Sequence, residues 1–171
     1  MKLSFKHIIA FFFLVGILAS CKINYSLTGT SIAPDVKTFS VQDFPNRAPM
    51  YVPTLSQSFT EKLKDKLLSQ TSLQIVTSGV GDLDYAGEIT GYKITPIAVS
   101  GNETASQNRL TISVKLTFTN TKDPKQDFVK TFSNYADFDA TESIEDIEQD
   151  LIDQILEKIT EDIFNNSVAN W

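Results

Sequence analysis

Residues 109–120 read RLTISVKLTFTN. Leu110, Ile112, Val114, Leu116 and Phe118 alternate without a break with Thr111, Ser113, Lys115, Thr117 and Thr119. Successive side chains of a strand point to opposite faces, so this stretch is a strand with one apolar and one polar face. An apolar face of that length must be covered, and the covering elements should flank it in the chain.

Downstream, Asp123-Pro124 marks a turn, and residues 128–138 return as a partner strand. Ile144, Ile147, Leu151, Ile155, Ile159 and Ile163 then recur at helical spacing, widened by Ile152 and Leu156. The spacing predicts a helix from about 141–143 to Asn165-Asn166, followed by a tail to Trp171. Acidic residues crowd its first turns, where they suit the positive end of the helix dipole. Its isoleucine stripe reads as core rather than as a coiled-coil seam.

Upstream, SGNETASQN at residues 100–108 reads as a polar hairpin loop. Residues 85–96 form a strand in which Gly87 and Gly91 predict a bulge or close packing beneath a neighbouring side chain. Residues 78–82 are a turn, and 73–77 a short β-branched run of strand character. Leu55, Phe59, Leu63 and Leu67 share one face of a helix that opens at Thr54, where Thr54 and Gln57 fit a capping box. Pro45, Pro49 and Pro53 make the preceding segment an extended connection, and residues 36–44 alternate as a first strand. The order β-α-β-β-β-β-α, its third element short, predicts an α+β fold: a two-layer sandwich with two amphipathic helices packed on one face of a mostly antiparallel sheet of four to five strands.

The N-terminal end reads differently. Lys2 and Lys6 precede the apolar run IIAFFFLVGIL, and no acid appears before Asp35. The run is well short of the ~20 residues that span a bilayer, so residues 1–20 read as a signal peptide. It ends Leu18-Ala19-Ser20-Cys21, with the chain's single cysteine last. That ending resembles the lipobox of bacterial lipoproteins, which implies cleavage before Cys21 and acylation of it. Several acyl chains then hold the protein to a membrane, each buried methylene contributing about 0.8 kcal/mol. The expected organisation is a removed peptide at 1–20, a lipidated leader at 21–34 and one domain at 35–171.

Charge and composition narrow the function. Without Lys2 and Lys6, 13 basic and 21 acidic side chains remain, a net charge of −8. Such a domain is a poor nucleic-acid partner, since phosphate binding needs clustered Lys and Arg. The single histidine, His7, lies in the signal peptide, and the single thiol is taken by lipid. Ser-His-Asp and Cys-His catalysis, His-containing metal sites and disulfides therefore drop out. The glycines form neither a P-loop nor a GxGxxG pattern, and no cofactor is expected. Carboxylate catalysis remains chemically open, but the acids gather on the exposed helix faces, the usual place of solvated charge. No enzyme is expected.

Several segments together resemble one family. They are YSLTGTSI at 25–32, LSQSFTEKL at 55–63 within 53–67, GEITGYKITP at 87–96, NRLTISV at 108–114, and the ending Asp162-Ile163-Phe164-Asn165 with Trp171. The chain is similar here to the LptE lipoproteins of lipopolysaccharide assembly, in their Bacteroidetes form, over nearly all of its length past Cys21. The resemblance implies a non-enzymatic outer-membrane lipoprotein that plugs an LptD-type β-barrel and supports lipopolysaccharide transport to the cell surface. Because Lys22-Ile23-Asn24 follow Cys21 without an acid, the anchor is expected to stay on the periplasmic side. A lipid- or small-molecule-binding accessory of a transporter is the competing reading, with its ligand between the two layers. Lipopolysaccharide carries phosphates and acids, so direct contact would need Lys or Arg. Arg109, Lys115 and Lys93, on or beside the central strands, are the candidates. The plainer reading of the same three is solvated charge on an exposed or barrel-facing sheet.

Overall fold

The computed structural model describes residues 32–98 and 106–169. The expected signal peptide, Cys21, the expected leader through residue 31, residues 99–105 of the expected hairpin loop, and Trp171 lie outside the described residues. The elements follow the expected order: β1 (Thr38–Val41), α1 (Leu55–Gln70), β2 (Gln74–Ile75), β3 (Leu83–Ala98), β4 (Ser106–Asn120), β5 (Phe128–Asp139) and α2 (Ile144–Ser167). The five strands form one sheet in the order β2-β1-β3-β4-β5.

β3, β4 and β5 are antiparallel neighbours, whereas β1 lies parallel to both β2 and β3. The sheet is thus mixed, its antiparallel part being the three long strands. The reason is the crossover. Parallel strands need a long connection, usually a helix, and α1 supplies it between β1 and β2. Alternation within a strand reports which side chain faces which way. It carries no information about the direction of a neighbour.

The core sits between the sheet and the helices. Leu110, Ile112, Val114, Leu116 and Phe118 of β4 are buried, as the alternation requires. Against them pack Leu55, Phe59, Leu63 and Leu67 of α1, and Leu151, Ile152, Ile155, Leu156, Ile159 and Ile163 of α2. Each such side chain contributes about 2 kcal/mol on leaving water. Lys66 of α1 also bridges to Glu157 at 3.1 Å and to Glu161, tying the helices together at their surface.

Three local expectations change in detail. Thr54 has helical dihedrals (φ −83°, ψ −17°) and makes no side-chain capping bond. Its hydroxyl is therefore not set over the helix end, since a capping residue adopts extended dihedrals. Gln57 instead donates forward to Glu61 at 2.8 Å, so the capping box is not formed. β1 is shorter than residues 36–44, stopping at Val41 before Pro45. β3 runs past Pro96 to Ala98. The register places the Pro96 nitrogen toward the side of β3 that β1 leaves uncovered, where proline costs the ladder no hydrogen bond.

The two glycines of β3 do what their positions suggested. The β3–β4 register shifts between Ile89 and Gly91, a bulge. At Gly87 a Cβ would collide with the Lys115 carbonyl and the Phe44 ring. Phe44 is fully buried there and meets Phe59 edge-on, ring centroids 4.8 Å apart. Gly87→Val should cost about 3 kcal/mol by overpacking a rigid strand pair, read as a lower urea midpoint at unchanged slope.

Candidate interaction face

The helices cover one face of the sheet, and the polar alternation of three strands makes the other. From β3 it carries Glu88, Lys93 and Thr95, from β4 Arg109, Thr111, Ser113, Lys115, Thr117 and Thr119, and from β5 Val129, Thr131, Ser133, Tyr135 and Asp137. Lys115, Thr117, Thr131 and Ser133 are exposed. Ser113 and Ser133 hydroxyls meet at 2.9 Å across β4 and β5.

All three cations expected from the sequence lie on this face. Lys93 is exposed and pairs in register with Thr111. Lys115 is exposed and sits opposite Glu88, about 13 Å along β4 from Thr111 at the usual rise per residue. Neither lysine makes an ion pair among the described residues. Arg109 differs. Its Nε and Nη2 donate to the two carboxylate oxygens of Asp137 at 2.7 and 2.9 Å, and its guanidinium stacks 3.6 Å from the Tyr135 ring centre. The fork-to-fork geometry is the strongest form of this pair. Arg109 holds the Asp137 carboxyl below the usual carboxylate range. The sequence analysis missed Tyr135 and Asp137. Only the β4–β5 register, with Arg109 opposite Asp137, brings the three together.

A second polar cluster closes the short side of the sheet. One Asp82 carboxylate oxygen accepts from the Lys37 N–H (2.9 Å), the Thr38 N–H (3.0 Å) and the Thr38 hydroxyl (2.9 Å). Lys122 approaches the other oxygen at 3.0 Å. These donors, the Lys37 amide foremost and then Lys122, hold the Asp82 carboxyl far below its ordinary value. Beside it, Asp84 accepts from the Ser40 hydroxyl and from Gln42 Nε2 at 2.8 Å. β1 is thereby clasped to β3 by side chains as well as by its ladder. Among the described residues no group of three His, Cys, Asp or Glu side chains is placed to hold a metal.

Residues 36–167 match the sequence pattern of the family described as LptE, lipopolysaccharide-assembly. The chain belongs to the LptE family. The match spans the whole sandwich from just before β1 to the last residue of α2. The family is non-enzymatic, and its work is lipopolysaccharide assembly in the cell envelope. Solved structures of similar shape include a minor lipoprotein from Acinetobacter baumannii (13% identity, TM-score 0.48, covering 75% of this chain and 89% of that one). Others are the hypothetical protein CT253 from Chlamydia trachomatis (13% identity, TM-score 0.48, 79% and 99%) and a neuraminyllactose-binding hemagglutinin homolog from Helicobacter pylori (12% identity, TM-score 0.49, 82% and 87%). No curated protein sequence matches the chain.

The Asp82 clasp gives a pH prediction. Its folded pKa is lowered, so its contribution is complete above the unfolded carboxylate value near ~4 and is lost as pH falls below it. Asp82→Ala should cost about 2 kcal/mol at neutral pH, because two backbone amides lose their acceptor. The difference from the parent should narrow steadily below about pH 4, in urea titrations run across that range.

Proposed function

We propose that the protein is an outer-membrane lipoprotein that occupies the lumen of an LptD-type β-barrel from the periplasmic side and supports delivery of lipopolysaccharide to the cell surface. In this reading residues 1–20 are removed, Cys21 carries the lipid, residues 21–34 lead to the domain, and residues 35–171 form the plug. The observation that carries it is the LptE family match across the sandwich. The uncovered Thr/Ser-rich sheet face supports it, because the interior of such barrels is polar and a plug must hydrogen-bond with it.

The competing lipid-carrier reading needs room between the layers. The facing residues there, including Leu63, Ile112, Val114, Ile155 and Ile159, are fully buried against one another. The larger clefts among the described residues open instead among polar side chains on the solvent side of α1, such as Asp43, Gln57, Glu61 and Lys64.

Purification of the full-length protein from detergent-solubilised outer membranes of its host tests the plug. A single large β-barrel recovered one-to-one is the expected result. A monomer eluting alone, lipidated at Cys21, would sink the proposal.

Any direct contact with lipopolysaccharide falls to Lys93, Lys115 and Arg109. The two lysines meet its phosphates first, since Arg109 is already engaged by Asp137. Lys93→Glu with Lys115→Glu should weaken binding of purified lipopolysaccharide at least tenfold, while Arg109→Gln changes it less than threefold, roughly the cost of an exposed charge pair. Equal binding by the parent and the double variant would remove these residues from the ligand's path.

A further inference from the structure

Two neighbouring clefts of about 410 and 230 Å³ lie along α1, and Asp43 and Lys64 line both. They run together as one groove, within the size range of small-ligand sites. Tyr51, Gln57 and Glu61 line its wider end, and Val41, Val76 and Thr77 its narrower end. The narrower end offers backbone groups that the sheet leaves unused. The Gln42 N–H donates to the Tyr85 carbonyl of β3 at 2.9 Å, and the Phe39 carbonyl accepts from the Val76 N–H at 2.8 Å. Backbone direction alternates along a strand, so Val41, like Phe39, turns its N–H and C=O toward the β2 side. β2 stops at Ile75, and no backbone group among the described residues bonds to those of Val41 there. A half-buried amide left in this way takes its partner from outside the fold.

The wider end offers an aromatic ring held out in water. Val52 is buried, and its carbonyl accepts from the Asn46 side chain at 3.2 Å, which fixes the connection against the fold. Tyr51 beside it is left 68% exposed. The charges where the two clefts meet are also free. Neither Asp43 nor Lys64 makes an ion pair among the described residues. With Glu61, the groove carries two carboxylates to one ammonium, which disfavours a phosphate or carboxylate ligand. An extended peptide would need a longer row of free backbone groups than Val41 and the two residues of β2 provide.

We propose that this groove binds a neutral saccharide, one sugar ring lying on Tyr51 and the hydroxyls of the next meeting the backbone groups of Val41. A hydroxyl both donates and accepts. It therefore suits a groove where donors (the Val41 N–H, Lys64) stand among acceptors (the Val41 carbonyl, Asp43, Glu61). The apolar face of a sugar ring covers an exposed aromatic ring and takes it out of water. None of Lys93, Arg109 and Lys115 lines the groove, so the assignment stands apart from the polar sheet face and from the plug.

NMR titration of the full-length protein in detergent tests the site with two probes. One is the dephosphorylated, lipid-free oligosaccharide released from the host's lipopolysaccharide, and the other is the trimer of N-acetylglucosamine, standing for cell-wall glycan. The expected result is saturable movement of the Val41 amide signal with at least one probe, while β4 amides stay in place. Which probe acts names the source of the sugar. Tyr51→Ala, at an exposed position that folding does not need, should weaken that binding roughly tenfold. A Val41 signal that neither probe moves overturns the proposal. Equal affinity in the parent and the Tyr51→Ala variant overturns it as well. Inorganic phosphate moving the Val41 signal as far as the sugars do also overturns it, and makes the groove an anion site at Lys64.

Discussion

β4 is hydrogen-bonded along nearly its whole length on both sides, to β3 from Ser106 to Asn120 and to β5 from Gln107 to Phe118. That double pairing removes its freedom to slip. A one-residue shift would carry Leu110, Ile112, Val114, Leu116 and Phe118 to the water-facing side and bury five polar side chains in their place. The penalty, five side chains at about 2 kcal/mol each, is comparable to the whole margin of stability of an ordinary domain. Register is therefore decided at β4, and the positions of both helices follow, because their apolar stripes have one surface to cover.

The bulge and the glycines of β3 adjust that surface. Gly87 lets Phe44 and the Lys115 carbonyl approach the strand, which lets the connection after β1 pack beneath α1. The Asp82 and Asp84 carboxylates then hold β1 against β3 where the ladder is short, with only three residue pairs in register. Two kinds of force divide the sheet. Burial organises the three long strands, and charge-assisted hydrogen bonds fasten the short parallel side.

The outer face is free of helices among the described residues and remains polar, and one of its charge pairs is neutralised in place. Arg109 is matched by Asp137 and stacked on Tyr135, whereas Lys93 and Lys115 make no ion pair among the described residues. Such a face suits a polar wall better than a lipid surface. This agrees with membership of a family that works in lipopolysaccharide assembly without catalysing a reaction.

Much of this was readable in the residues. The unbroken alternation of β4, the leucine and isoleucine spacing of the helices and the glycines of β3 specified element types, order and the two-layer arrangement, because period two and period 3.6 each mark one buried face. Thr54 and Gln57 misled, since a capping pattern in sequence does not impose the extended dihedrals that a cap requires. The candidate face was legible only in part: Arg109, Lys93 and Lys115 stand out by charge, whereas Asp137 and Tyr135 join Arg109 through a pairing twenty-eight residues apart in the chain. By itself the sequence determined which side chains go inward, which elements form and which family the chain resembles, for these depend on local spacing and residue type. Tertiary structure alone decided the parallel placement of β1, the pairing that occupies Arg109 and the place of β5 beside β4 at the end of the strand order. Each depends on which strand lies beside which, and hydrogen bonds between strands leave no mark on the spacing within either one.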